Sequence, residues 1–230
     1  MRPRGAALVA LLAFASIAAA CERLPGRPDE ADRFRRPSEI LDFDSLYAAH
    51  CSGCHGAEGL KGPARPLADS VYLALVDQAH VRRIVANGIP GTLMPAYAQS
   101  QGGTLRDAQV EAIAAGIFER WAAPVPGPLP PYEAALGAPD RGAVAYASFC
   151  ADCHGADGAG GKHGASVVDP NFLALVSDQM LRTSVIAGRP DLGMPDWREA
   201  SKQRPMSPQE ISDVVAWLAA KRVATPPGGP

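Results

Sequence analysis

The sequence predicts an all-α protein in which one small helical domain occurs twice in tandem. Three observations carry that expectation: an internal repeat, apolar residues at helical spacing with matching end signals, and no convincing run of strand alternation. The hexapeptide Cys51-Ser-Gly-Cys54-His55-Gly56 recurs as Cys150-Ala-Asp-Cys153-His154-Gly155. Residues 71–97 align with 171–197 without a gap. Ten of those positions are identical, including Arg82/Arg182, Gly88/Gly188, Pro90/Pro190, Met94/Met194 and Pro95/Pro195. Duplication of one domain explains this pattern; chance does not.

Taken in order, residues 1–20 read as an export signal. Arg2 and Arg4 form a charged start, and Ala6 to Ala20 form an apolar stretch ending in small residues. That stretch is short for a membrane span of about twenty residues, although a retained anchor helix is the alternative. Cys21 follows directly and resembles the acylated cysteine of bacterial lipoproteins; ordinary cleavage nearby, leaving an incidental thiol, is the other reading. Cys21 is also the odd one of five cysteines, and an unpaired thiol is awkward in an oxidising compartment. Residues 21–39 are rich in Pro and Arg without periodicity, which predicts a tether.

The first domain is expected over residues 40–122 and the second over 132–223, with a tail at 224–230. Between them, residues 123–131 contain Pro124, Pro126, Pro128, Pro130 and Pro131. That density forbids a helix and predicts an extended linker. Helices are expected over 44–51 and 141–150, leading into the cysteine motifs. Residues 71–87 and 171–187 each read as one or two short helices ending at Gly88 and Gly188. Ser207, Pro208 and Glu210 form a capping pattern before the apolar stripe Ile211, Val214, Val215 and Leu218. Val110, Ile113, Ala114 and Ile117 form the matching stripe in the first copy.

Charge excludes little but is informative in one respect. With 22 basic and 24 acidic residues, no basic field points to nucleic acid. Nucleophile motifs, metalloprotease helices and phosphate loops are also missing from the sequence.

The Cys-x-x-Cys-His spacing is the attachment signature of c-type haem. Two cysteines three apart on a helical turn reach two vinyl groups, and the next residue projects a neutral imidazole over the ring. Cys51, Cys54, Cys150 and Cys153 are therefore the expected attachment residues of two haems, with His55 and His154 as proximal iron ligands. A shared zinc would need cysteines about a hundred residues apart and would leave both histidines unexplained. A redox disulfide of thioredoxin type lacks its βαβ context. Domains of about 85 to 90 residues bury little core alone, and a haem would act as the staple they need.

Met94 lies 39 residues after His55, and Met194 lies 40 after His154. Each precedes a proline and shortly an aromatic, Tyr97 or Trp197. That repetition makes both methionines the expected distal iron ligands. Met206 and Met180 lack that context and read as packing or exposed residues, as do His50 and His80. His163, in a Gly-rich stretch, is an alternative ligand or neighbour of the second haem.

On these motifs the chain resembles the class I cytochromes c in a tandem two-haem form, over about residues 40–122 and 132–222. The resemblance implies a Met-Pro loop supplying the distal ligand and a C-terminal helix crossing the N-terminal one. It also implies a proline soon after the proximal histidine. Pro63 fits in the first copy, whereas the second has Lys162 there and no proline until Pro170. This departure predicts an altered second proximal loop and unequal potentials. Tyr97 and Trp197 are expected either to bond a haem propionate or to pack on the ring.

His/Met ligation closes both axial positions, so electron transfer outside the plasma membrane is the expected role. The protein would be a lipid-anchored periplasmic carrier or a fixed subunit of a respiratory or photosynthetic complex. Its expected partners are a quinol-oxidising complex, a periplasmic dehydrogenase, a terminal oxidase or reductase, or a reaction centre. The alternative is a two-haem oxidoreductase of peroxidase or sulfur-compound dehydrogenase type with one catalytic haem.

Overall fold

A computed structural model of the chain describes residue 29 and residues 33–201 and 203–223. The expected export signal, Cys21 and the expected tail 224–230 lie outside the described residues. A 3₁₀ turn, Pro37–Glu39, belongs to the N-terminal unit, and everything from Ile40 onward belongs to a second unit. Among the described residues there is no strand, only two isolated bridges, and no helix long and apolar enough to cross a membrane.

The first repeat contains α1 (Phe43–His50), α2 (Ser52–His55), α3 (Ser70–Leu75), α4 (Gln78–Asn87) and α5 (Asp107–Trp121). The second contains α6 (Pro139–Phe149), α7 (Ala151–His154), α8 (Pro170–Leu175), α9 (Asp178–Ala187) and α10 (Pro208–Ala219). The stretches 71–87 and 171–187 each resolve into two helices, because a fresh cap interrupts them. Asp77 accepts the His80 N–H at 2.6 Å, and Ser177 accepts the Met180 N–H at 3.1 Å. Asp69 and Asp169 cap α3 and α8 in the same way. Ser207 and Glu210 form the expected capping box at α10.

Each repeat buries its apolar stripe against its opening helix. Val110, Ile113, Ala114 and Ile117 of α5 share a core with Leu46 and Tyr47 of α1. Ile211, Val214, Val215 and Leu218 of α10 share one with Ala145 and Tyr146 of α6. The crossings are close because each pairs a glycine with an aromatic, but on opposite helices. In the first repeat, Gly116 of α5 lies under the Phe43 ring of α1. A Cβ at Gly116 would stand 2.2 Å from that ring. In the second, the glycine is Gly142 of α6 and the aromatic is Trp217 of α10. A Cβ at Gly142 would stand 2.0 Å from the Asp213 carbonyl oxygen and 2.7 Å from the Trp217 Cβ. Trp217 then stacks on Tyr146 at 4.2 Å between ring centroids.

The repeats are joined along α3 and α9. Val71 of α3 belongs to the second core, with Tyr72 and Leu75 beside it. The linker has no helix, and its Val125 and Leu129 pack against the second core. Arg182 of α9 is buried and donates to the carbonyls of Pro131 and Tyr132 and to the Ser212 hydroxyl. These neutral acceptors, rather than a carboxylate, satisfy its guanidinium, and burial holds its pKa below the ordinary arginine value. At the linker's end the Tyr132 ring packs edge-on against His80 at 5.1 Å.

Candidate haem-binding sites

The motif cysteines sit at a helix junction. α1 ends at His50, Cys51 adopts a kinked backbone with φ −118°, and α2 carries Cys54 and His55. The second repeat repeats this at Cys150, with φ −122°, followed by Cys153 and His154 on α7. All four thiols are free. Cys51 and Cys54 interact electrostatically, as do Cys150 and Cys153, so each pair is close in space. Cys54 and Cys153 face solvent, whereas Cys51 is buried and Cys150 half-buried. Burial pushes the Cys51 and Cys150 thiols up to about 12. Among the described residues no group of three or more His, Cys, Asp or Glu side chains is placed to hold a metal ion. This counts against a shared zinc, and the lack of strands among the described residues counts against a disulfide of thioredoxin type.

Each motif histidine is pinned through one ring nitrogen. His55 Nδ1 lies 2.7 Å from the Arg65 carbonyl, and His154 Nδ1 lies 2.8 Å from the Ala165 carbonyl. A carbonyl can only accept, so the Nδ1–H is the donor and the neutral ring keeps a lone pair at Nε2. Burial also lowers the His55 pKa and so favours that neutral form.

The second proximal loop is altered, as the sequence predicts, but not at its histidine. The missing proline does not cost the second histidine its acceptor, because the acceptor is a main-chain carbonyl that any residue supplies. The loop instead absorbs one extra residue. Gly62 and Gly161 both lie against the carbonyl of the second motif cysteine, where a Cβ would stand 2.2 and 2.5 Å away. From there to the acceptor the second loop is one residue longer. That residue accounts for the 39- and 40-residue spacings to the two methionines.

A phenol closes each motif from behind. Tyr47 donates to the Gly56 carbonyl, and Tyr146 to the Gly155 carbonyl, both at 2.8 Å. These bonds tie the opening helix to the residue after each histidine. The sequence expectations single out neither tyrosine. The identical tyrosine four residues before each first cysteine was the available signal.

Met94 and Met194 are half-buried and occupy equivalent turns. Gly88 and Gly188 lead into these turns with φ of 67° and 69°. A Cβ at either would stand 2.6 Å from the following methionine carbonyl oxygen. Only glycine fits a left-handed position with a carbonyl passing that close. The N–H of Ile89 and of Arg189 then donates to that carbonyl, each at 3.0 Å.

The first turn is brought to its motif by Tyr97, which donates to the His50 carbonyl at 2.7 Å beside Cys51. Trp197 is buried in the same core as Cys150. Met206 is buried there too and donates its N–H to the Trp197 carbonyl at 2.9 Å, so it packs. His163 is exposed in its glycine-rich loop.

The donor chemistry fits a covalently bound haem: two thiols per motif, an imidazole lone pair fixed by its other nitrogen, and a thioether turn. Two all-α repeats built on such motifs define a tandem c-type cytochrome, a class whose domains carry covalent haem c. A family model described as cytochrome c oxidase, cbb3-type, subunit III matches residues 39–115 and 137–218, and the chain belongs to that family.

The dihydro-haem d1 dehydrogenase of Pseudomonas aeruginosa is 33% identical over 76 residues, which is 33% of this chain and 14% of that protein. The chain thus corresponds to a small part of that relative. Among solved structures, a chain of the reducing HAO-like protein complex of Kuenenia stuttgartiensis aligns with 83% of this chain and 100% of its own length. The identity there is 16% and the TM-score 0.48. The thiosulfate dehydrogenase of Marichromatium purpuratum aligns with 86% of this chain and 50% of its own length, at 21% identity and a TM-score of 0.32.

Proposed function

We propose that the protein is a two-haem cytochrome that transfers electrons on the outer side of the plasma membrane. One observation carries the reading: both motif histidines spend their ring proton on a backbone carbonyl, at 2.7 and 2.8 Å, leaving the other nitrogen free for iron. In this reading Cys51, Cys54, Cys150 and Cys153 form the thioether bonds. His55 and Met94 hold the first iron, and His154 and Met194 the second. When bound, a haem with histidine and methionine ligands takes up and releases one electron at a relatively high potential.

The residues of the chain do the rest. The Arg65 and Ala165 carbonyls orient the two imidazoles and raise their basicity. Tyr47 and Tyr146 hold each motif against its opening helix. The turns after Gly88 and Gly188 present the methionines. Two protein ligands on each iron leave no place for a substrate, so the protein acts on partner proteins, as a carrier or as a subunit of a respiratory or photosynthetic complex. The export signal and Cys21 support a periplasmic location with a lipid anchor.

The test is a visible spectrum with a redox titration of the full-length holoprotein. Two haems per chain and a weak methionine-to-iron band are expected. Met94→His and Met194→His should each lower the potential of one haem. Unchanged titrations in both variants would overturn the ligand assignment. A high-spin signal in the resting protein, with turnover on peroxide or thiosulfate, would replace the carrier by an oxidoreductase. Cys21→Ser should move the protein from the membrane fraction to the soluble periplasm; retention in the membrane would refute the lipid anchor.

A further inference from the structure

The two methionine turns are closed by different means. In the first, the Thr92 hydroxyl donates to the Ile89 carbonyl at 2.8 Å and accepts the Met94 N–H at 3.2 Å. The turn is thus fastened within its own repeat. In the second, Leu192 replaces Thr92 in the alignment and Arg189 replaces Ile89. Arg189 pairs with Met194 through both main-chain groups, each at 3.0 Å. Its guanidinium forks the Asp191 carboxylate, Nε to Oδ1 at 2.9 Å and Nη2 to Oδ2 at 3.0 Å.

That charge pair does not stop at its own repeat. Arg189 Nη2 also donates to the Gly62 carbonyl at 3.3 Å, and Asp191 Oδ2 accepts the Lys61 N–H at 3.2 Å. The Asp191 side chain is 0% exposed. Neighbouring main-chain groups of the first proximal loop, six and seven residues after His55, are therefore held by the turn that precedes Met194. Lys61 has φ 63° and is the one non-glycine residue with positive φ among the described residues. The register set by Gly62 and Gly161 places Gly160 at the same point of the second repeat, with φ 109°. The first repeat thus keeps a side-chain-bearing residue in a left-handed bend where the second has glycine. Such a bend is costly for an L-residue and persists where its surroundings fix it. Here the bent segment donates to a buried carboxylate.

We propose that Arg189, acting with Asp191, is a positioning residue for Met194: it anchors the second methionine turn to the proximal loop of the first repeat. The proposal rests on the reading of Met194 as an axial ligand. It makes the two centres unlike in a definite way. Met94 is held by its own repeat, whereas Met194 is held across the junction, so loosening the clamp frees the second sulfur and leaves the first alone.

The experiment uses the oxidised full-length holoprotein in a Met94→His background, where the remaining methionine-to-iron band reports on Met194 only. Imidazole is titrated until that band bleaches. Arg189→Ala and Asp191→Ala should each let imidazole displace the methionine at a roughly tenfold lower concentration, the scale of one lost charge-assisted hydrogen bond. Arg189→Lys should recover only part of the resistance, because an ammonium cannot fork a carboxylate. Lys61→Gly keeps the N–H that Asp191 uses and should leave the titration unchanged. Arg189→Ala in a Met194→His background should not alter displacement of Met94.

Imidazole midpoints unaltered by Arg189→Ala and Asp191→Ala would overturn the proposal while the ligand reading stands, even if both variants melt earlier. Equal weakening at both methionines would also overturn it, because that is the mark of general destabilisation. A Met94→His background that already lacks the band would overturn the ligand reading, and the proposal with it.

Discussion

Replacing Gly142 by alanine should force α6 away from α10. The added Cβ would lie 2.0 Å from the Asp213 carbonyl oxygen, 2.7 Å from the Asp213 carbonyl carbon and 2.7 Å from the Trp217 Cβ. Ordinary contact distances are about 3.5 Å, so the helices must separate by more than about 1 Å. The obstructing atoms belong mainly to a helix backbone, and no side-chain rotation clears them. Overpacking of this kind costs about 3 kcal/mol, and the better helix propensity of alanine returns about 1 kcal/mol, for a net loss of about 2 kcal/mol. For a chain of this size that lowers the melting temperature by roughly 4–8 °C. The mirror substitution, Gly116→Ala, meets the Phe43 ring instead, at 2.2 Å. A ring can be removed, so adding Phe43→Ala should return part of the loss and give a coupling of about 1 kcal/mol. The assay is thermal and urea unfolding of the holoprotein. Wild-type stability in Gly142→Ala, or strict additivity of Gly116→Ala and Phe43→Ala, would refute the account of these crossings.

Other perturbations have equally defined outcomes. Tyr47→Phe and Tyr146→Phe each remove one bond to a motif carbonyl and should each cost about 1 kcal/mol in urea unfolding, with the absorption spectrum unchanged. Glu210 is held at about 2, against an ordinary 4.5, chiefly by its hydrogen bond from Arg204. Because the folded pKa is depressed, its contribution is complete above the ordinary value and is lost as pH falls toward 2. Glu210→Gln should therefore flatten the acid limb of the stability curve below about pH 4.5, and an unchanged limb would count against the pair. Asp213 accepts from Arg141 at 2.8 and 2.9 Å, from the Ala138 N–H at 2.7 Å and from Gln209 at 3.0 Å. Asp213→Ala should lower stability in urea unfolding, because it removes the acceptor that Ala138, Arg141 and Gln209 share at the α6–α10 junction; wild-type stability would contradict that role.

The sequence made the repeat, the helical class and both Cys-x-x-Cys-His motifs readable, because each is written in residue types at fixed spacings. The helix caps at Asp69, Asp169 and Ser207 were open to the same reasoning. Features carried by main-chain atoms were not. The acceptors for His55 and His154 are the carbonyls of Arg65 and Ala165, and no letter in the sequence marks a carbonyl. Proline was a poor guide to them for that reason.

The aromatic–glycine crossing was hidden differently. Position by position, Phe43 faces Gly142 and Gly116 faces Trp217 in the alignment, which looks like divergence. In space it is one solution with its halves exchanged. Identity can also mislead. Arg82 and Arg182 align, yet Arg82 makes a half-exposed ion pair with Glu111 at 3.7 Å, while Arg182 is buried and holds the linker carbonyls. Repeat membership predicts the local helix, and the junction between repeats decides what the side chain does there.

The bonds Lys61–Asp191, Arg65–Ser184 and Gly62–Arg189 all run in one sense, from after the first histidine to before the second methionine. Different faces of one ancestral domain meet there. A two-fold dimer of that ancestor would have paired a face with itself; this contact is heterologous and does not close. Duplication in one chain therefore did more than raise the local concentration of a partner. It joined the two repeats in an open, head-to-tail association. One methionine turn, with Leu93 at 97% exposure, and one proximal loop, at His163, are left as unlike ends. A chain with unlike ends has a polarity that a symmetric pair of cytochromes lacks.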